Sequence, residues 1–382
     1  MGVQKLYYED CHLKTFTSVV TGCTQTEKGY WISLEATAFY PEGGGQPCDL
    51  GKLNDARVLD VRESEDQILH LCDRPLTVGA AVQGIIDWQR RFDLMQQHSG
   101  EHIVSGIIHR LFGLRNTGFH IGAELVTVDF DGVLTHEDLS LVEQEANRFV
   151  WENIPVQIWT PPPEQLSAIA YRCKKQLIGP VRIVQIPGAD TCACCGIHVA
   201  STGEIGLIKL FSCVKFHQGV RIEIACGSRA LTILNRSFDQ NRQVSQAFSV
   251  KQEETGAAAR RMNQLLSEEK YRCAVLEKRL FSTIAASFSG KGNVLYQENG
   301  LTPGAVRALA DAIANTCGGI GAVVSGSSFC LVSKDGDTGA LGKEITALLG
   351  GRGGGKPGCF QGSITCSTEE LSAFFRSKNF TL

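Results

Sequence analysis

The segment Gln97-His98-Ser99-Gly100-Glu101-His102 sets two histidines four residues apart. On a helix, side chains at that spacing lie roughly 5–6 Å apart on one face, so both imidazoles can reach one metal ion. Further along comes Thr191-Cys192-Ala193-Cys194-Cys195-Gly196-Ile197-His198, dense in cysteine and closed by a histidine. Thiolate and neutral imidazole are the donors that suit Zn²⁺, and two ligands from each segment complete a tetrahedral shell. The cluster's composition alone leaves Cys192, Cys194 and Cys195 as rival thiolates.

Two other motifs compete for attention. His98-x-x-Glu101-His102 matches the inverted zinc-peptidase pattern, in which Glu101 would be the general base beside a metal-bound water. Such enzymes take a carboxylate as third ligand, which the Cys/His cluster makes unnecessary. Gly350-Gly351-Arg352-Gly353-Gly354-Gly355-Lys356 fits a phosphate-binding loop until its last position, where Pro357 replaces the Mg²⁺-binding hydroxyl. It also follows a predicted helix where such a loop follows a strand, so no NTP site is expected. A flexible glycine loop carrying Arg352 and Lys356 remains, with backbone amides that can approach RNA phosphate closely.

These residues need elements to hold them, and the expected class is α+β. Residues 1–90 read as β-rich, with Tyr30-Trp31-Ile32-Ser33-Leu34 and Val58-Leu59-Asp60-Val61 as short strands of a small barrel or curled sheet. Gly43-Gly44-Gly45-Gln46-Pro47 must be a break between them. From Asp87 to Phe112 the apolar period changes to three and four, which predicts an amphipathic helix. Residues 125–130 alternate, Ser140 to Trp151 reads as a helix capped by Asp138 or Ser140, and 181–186 and 220–224 alternate again. Residues 91–228 therefore read as one α/β zinc-containing domain. Residues 229–287 read as a helical hairpin turning near Glu254-Thr255-Gly256, and 288–382 as a Gly-rich α/β unit.

The composition bounds the partners. The chain has 382 residues, 15 cysteines, 41 glycines and a net charge of −3, so it carries no strongly basic coat. No apolar run approaches the roughly 18 residues needed to span a bilayer, so no membrane is expected. Glu9-Asp10 puts charge where a secretory signal would be apolar. A cytoplasmic location and reduced thiols follow as expectations, and the odd cysteine count agrees.

Taken together, the motifs resemble the editing half of alanyl-tRNA synthetase and, more closely, the long free-standing AlaX proteins. Thr37-Ala38-Phe39-Tyr40-Pro41-Glu42-Gly43-Gly44-Gly45-Gln46, with Asp49 and Gly51 following, is similar to that family's Thr-x-Phe and Gly-Gly-Gln loop. His98 and His102 match its His-x-x-x-His pair. Cys194 and His198 match its Cys-x-x-x-His, which favours Cys194 as the thiolate. Gly203-Glu204-Ile205-Gly206 and Gly219-Val220-Arg221-Ile222-Glu223 match the strands that follow, and Gly350 to Pro357 is similar to the glycine loop of the synthetase's C-terminal domain, of the DHH-associated class. Cys195 and Ile197 replace a glycine and a threonine of the family signature.

The resemblance implies a trans-acting deacylase for tRNA(Ala) mischarged with Ser or Gly, with Zn²⁺ on His98, His102, Cys194 and His198. It makes Thr37 the partner of the substrate hydroxyl. Gln46 and Glu101 are candidates for orienting substrate or water. Arg352, Gly353, Gly354 and Lys356 are candidates for tRNA contact, and the C-terminal region for homodimerisation. Lys251, Arg260, Arg261, Lys270, Arg272, Lys278 and Arg279 alternate with acids along the helical segment, which reads as a solvated face. The rival readings are a metallopeptidase on His98, Glu101 and His102, and a tRNA-binding protein in which zinc only braces the fold.

Overall fold

The computed structural model describes residues 2–64, 67–173 and 179–382. The chain divides into two compact units, Met1–Gln243 and Val244–Leu382.

The first unit begins with eight strands: β1 (Gln4–Lys5), β2 (Thr15–Thr26), β3 (Gly29–Leu34), β4 (Ala36–Thr37), β5 (Gly51–Leu53), β6 (Ala56–Ser64), β7 (Gln67–Cys72) and β8 (Ala81–Ile86). Six of them pair in the order β2-β3-β7-β6-β5-β8 and close into a barrel. Alternation fills its interior: Val82, Gly84 and Ile86 of β8 are buried while Ala81, Gln83 and Ile85 face out. β1 pairs in parallel with β4, setting Lys5 opposite Thr37. Gly43 to Gln46 forms a tight turn, with Gly44 and Gly45 at φ of 60° and 83°.

Helix α1 (Trp88–Phe112) follows, capped by Asp87, whose side chain accepts from the Arg90 amide. The expectation of an amphipathic helix is corrected here. Every residue from Leu94 to Ile108 is buried, so α1 is enclosed on all sides. Strands β9 (Asn116–Ile121) and β10 (Val126–Phe130) pack on it, followed by α2 (His136–Glu152). Thr135, not Asp138 or Ser140, caps α2; Asp138 is the reciprocal member of a capping box. Strand β11 (Gln157–Trp159), the short helix α3 (Pro163–Leu166), and strands β12 (Ile183–Ile186) and β13 (Asp190–Ala193) come next. β11, β12 and β13 make a three-stranded antiparallel sheet. β14 (Ile208–Phe216) and β15 (Gly219–Cys226) complete the sheet β14-β15-β10-β9. One core joins α1, α2 and the inner faces of these sheets.

Helix α4 (Gly227–Phe248) ends at Ser249, whose φ of 52° leaves the helical region. Helix α5 (Thr255–Ser287) then starts, so the interruption lies just before the expected turn. The second unit continues with β16 (Gly292–Gln297), α6 (Pro303–Cys317), β17 (Gly318–Ser325), β18 (Ser328–Val332), α7 (Gly339–Leu348), β19 (Gly351–Lys356), β20 (Cys359–Ile364) and α8 (Thr368–Ser377). Its sheet runs β16-β17-β18-β20-β19, buried by α5 and α6 on one face and by α7 and α8 on the other. The expected glycine loop is instead strand β19, paired with β20 along its whole length. Glycine disfavours strands, which hid it. Here the absence of side chains permits the pairing: a Cβ on Gly355 would lie 2.0 Å from the Cys359 carbonyl oxygen.

The approach of α1 to β13 depends on Gly106, where a Cβ would lie 2.2 Å from the Ala189 carbonyl oxygen. Gly106→Ala should therefore destabilise by ~1–3 kcal/mol through overpacking, although alanine is the better helix former by about 1 kcal/mol. A denaturation midpoint equal to or above that of the wild type would show that the helix–strand contact is not limiting.

Candidate metal centre

α1 presents His98 and His102 one turn apart, and β13 delivers the chain that follows it, Cys194 to His198, onto the same face. One donor atom from each of His98, His102, Cys194 and His198 lies within 4.8 Å of the others, a group that could hold a single metal ion. Cys194 Sγ is 3.5 Å from His98 Nε2 and 3.5 Å from His198 Nε2. The rings are 4.5–5.2 Å apart between centroids. Cys192 is a buried neighbour of Asp190 and His102, and Cys195 turns towards Tyr40 and Gly44. The geometry thus separates the three thiols and puts Cys194 among the imidazoles.

The outward nitrogen of each ring is held by a different segment. Gln46 Oε1 lies 2.8 Å from His98 Nδ1 and also accepts from the Ile197 amide at 3.2 Å. The second contact identifies that atom as the acceptor, so His98 Nδ1 donates and Nε2 keeps its lone pair for the group. Asp190 Oδ2 takes His102 Nδ1 at 3.0 Å, and Arg172 grips both Asp190 oxygens at 2.7 Å. Ser99 Oγ lies 3.1 Å from His198 Nδ1 and accepts from the Val199 amide. Such outer partners orient metal-binding histidines and fix their tautomers. Gly196 is required for this closeness, since a Cβ there would sit 2.1 Å from His98 Cε1. Phe119 stacks on His98, and Gly45 packs against Phe119.

The four side chains are strongly coupled electrostatically. Burial opposes the Cys194 thiolate, but His98, His102 and His198 outweigh it and hold its pKa well below the thiol range. Burial also works against a charged His102, yet Asp190 and Cys194 raise it to about 9. Burial and the two neighbouring imidazoles push His198 down to about 3.

The remaining candidates are placed as follows. Gln46 is buried, and its Nε2 has no hydrogen-bond partner among the described residues. Glu101 is buried; its Oε1 accepts from Ser105 Oγ and Asn116 Nδ2, both at 2.6 Å. Thr37 is buried at the barrel end, where its Oγ1 accepts from the Phe39 amide and meets His70 Nε2 at 2.9 Å. His70 Nδ1 donates to the Ile32 carbonyl, so Nε2 accepts the Thr37 proton. Arg352, Gly353, Gly354 and Lys356 lie on exposed β19 in the other unit. Arg352, Gly354 and Lys356 share one face of that strand, while Gly353 packs over Phe360.

Sequence reasoning missed Asp190, Arg172, Ser99 and His70. It also missed Arg182, whose Nη1 donates to the Cys194 and Gly196 carbonyls. Asp190 stands two positions before Cys192 and Ser99 directly follows His98, the one local signal available for either.

Asp190→Asn, which keeps the shape but loses the carboxylate, should lower metal affinity about 10–100-fold in a chelator competition. An unchanged affinity would remove Asp190 from that role. A second expectation concerns pH. Burial lowers the His70 pKa from 6.5 to about 4, so the unfolded chain takes up a proton that the folded chain refuses. Its contribution is complete above pH 6.5 and is lost as the pH falls from 6.5 towards 4. Urea midpoints should drop less over this window for His70→Gln than for wild type; an equal drop would argue against a buried neutral His70.

Two family models match parts of the chain. Residues 4–90, which carry Thr37 and Gln46, match the model for class II (A) tRNA synthetases. Residues 181–223, which carry Cys194 and His198, match the second additional domain of threonyl- and alanyl-tRNA synthetases. The chain is 28% identical over 399 residues to the alanyl-tRNA editing protein Aarsd1 of Mus musculus, covering 96% of each. It is 29% identical over 389 residues to the alanine–tRNA ligase of Ignicoccus hospitalis, covering 98% of this chain but 42% of the ligase. To the ligase of Natronomonas pharaonis it is 33% identical over 294 residues, or 31% of that protein. Among the described residues no helix is long and apolar enough to cross a membrane. With both models matched in chain order and full-length editing proteins among its relatives, the chain belongs to the AlaX-type alanyl-tRNA editing family.

Proposed function

We propose that this protein is an aminoacyl-tRNA deacylase acting in trans on tRNA(Ala) mischarged with serine, and with glycine as a second substrate. The observation that carries this reading is the convergence of three imidazole nitrogens and one thiolate, each ring anchored from behind. That donor set fits Zn²⁺, and His98, His102, Cys194 and His198 would hold it. When bound, zinc would supply Lewis acidity beside the ester.

The chain's own residues do the rest. Gln46 fixes His98 and keeps a buried, unpartnered amide N–H pair that can donate to the ester carbonyl or orient water. A buried donor without a partner costs about 1–3 kcal/mol, a cost that substrate binding would relieve. Glu101 is the second candidate for orienting water. Thr37 donates to His70 and accepts from Phe39, so one acceptor lone pair remains for a serine hydroxyl. Alanine offers nothing to that lone pair. Hydroxyl recognition of this kind discriminates better than an apolar pocket can.

In this reading residues 1–90 supply the glycine turn and Thr37, and 91–228 supply the metal centre. Residues 229–287 join them to 288–382, where β19 offers Arg352 and Lys356 to the tRNA and the unit supports homodimerisation. The protein acts in the cytoplasm, with no membrane and no NTP.

Purified protein should shorten the ester half-life of Ser-tRNA(Ala) and Gly-tRNA(Ala) and spare Ala-tRNA(Ala). An unchanged half-life with stoichiometric protein would favour a tRNA-binding protein with structural zinc. Thr37→Val should lower the ratio of serine to alanine hydrolysis and also destabilise, because it orphans His70. Thr37→Ser should keep the ratio. If the valine variant retains the wild-type ratio, Thr37 serves the barrel alone.

A further inference from the structure

A recess of about 900 Å³ opens beside the C-terminal half of α1, between β9, residues 170–173 and residues 188–191. Among the described residues its lining holds three arginines, Arg110, Arg115 and Arg172, against one carboxylate, Asp190. Arg172 neutralises Asp190 through two 2.7 Å bonds. The acids that pair with Arg110 and Arg115 are Glu145 and Asp131, which stand outside the lining. Those arginine side chains are 45% and 80% exposed, so their pairs are worth little and can be exchanged for a phosphate. Tyr171, half-buried in the wall, offers a ring. The volume is that of a site for a ligand of nucleotide size.

The inner wall of the recess is built from the groups that hold the centre. Asp190 holds His102, and Asn116 donates to Glu101. Asn116 Oδ1 is itself buried with no hydrogen-bond partner among the described residues, an acceptor that a ribose hydroxyl or base amino group would satisfy. We infer that this recess seats the terminal nucleotide of an RNA strand, with Arg110 and Arg115 on its phosphate and Tyr171 against its base. The inference rests on the deacylase reading and names where the strand bearing the ester is gripped.

The test uses the full chain loaded with zinc and an uncharged acceptor-stem RNA ending in unpaired adenosine. Arg110→Ala with Arg115→Ala should weaken binding at least tenfold and cut the slope of log K against log salt by about 0.7, the value for one phosphate neutralised on a single strand. Tyr171→Ala should weaken it roughly 5–100-fold through lost stacking. Zinc content and the thermal transition should stay at wild-type values; if the alanine pair loses that transition, Arg110→Gln with Arg115→Gln replaces it. AMP should displace the RNA. Unchanged affinity and salt slope in these variants would overturn the inference, as would AMP binding that the variants abolish while RNA binding persists. If wild type cleaves Ser-tRNA(Ala), such a failure counts against the recess alone. If wild type neither cleaves it nor binds the RNA, the deacylase reading falls and takes this inference with it.

Discussion

A helix buried on every side can carry polar residues only if each of them finds a partner, and this constraint organises the first unit. Between Leu94 and Ile108, α1 buries two glutamines, two histidines, two serines and a glutamate. Each unsatisfied group would cost about 1–3 kcal/mol. The partners come from elsewhere in the chain. Gln97 bonds the backbone of Cys226 in both directions, Gln96 donates to the Glu204 carbonyl, and Ser99 takes the Val199 amide. His98 and His102 belong to the same pattern, answered by Gln46 and Asp190. The candidate metal centre is therefore not attached to a finished core. It is the part of the core's polar bonding whose inward-facing atoms meet one another.

The barrel is tied to that helix by a second buried device. Arg91, fully buried on the first turns of α1, bonds Asp49 through Nε at 2.8 Å and reaches the Ala38 carbonyl. Asp49 in turn accepts from the Tyr40 amide. The loop from Thr37 to Asp49 is thus pinned at both ends of the glycine turn, which sets Gln46 against His98. Breaking such a pair by removing one partner strands a buried charge, at a cost of about 3–5 kcal/mol. Gly45 and Gly196 serve the same closeness by omission, since a side chain at either position would collide with Phe119 or His98.

The second unit solves a different problem. Its central strands are buried on both faces, so Val294 and Leu295, or Val323 and Val324, belong to opposite cores. The edge is a strand without bulk, where glycines on β19 lie against Gly362 and Phe360. An exposed edge of this kind would invite pairing with other chains, and Arg352 and Lys356 put charge on it.

Local pattern carried the sequence reading a long way. The four-residue spacing of His98 and His102 depends only on helix geometry, and the ligand chemistry of the cysteine cluster depends only on residue type. The enclosure of α1 and the strand made by Gly351 to Lys356 were not legible, because each is decided by what the rest of the chain brings alongside; residue type alone left three thiols open, and only the resemblance favoured Cys194. Asp190, Arg172 and His70 were invisible for the same reason: a carboxylate, a guanidinium or an imidazole carries no local sign of the group it will meet. Spacing and side-chain chemistry thus settled which atoms could bind an ion, while tertiary packing decided which nitrogen of each ring faces inward, because that is fixed by the hydrogen bond made on the other side.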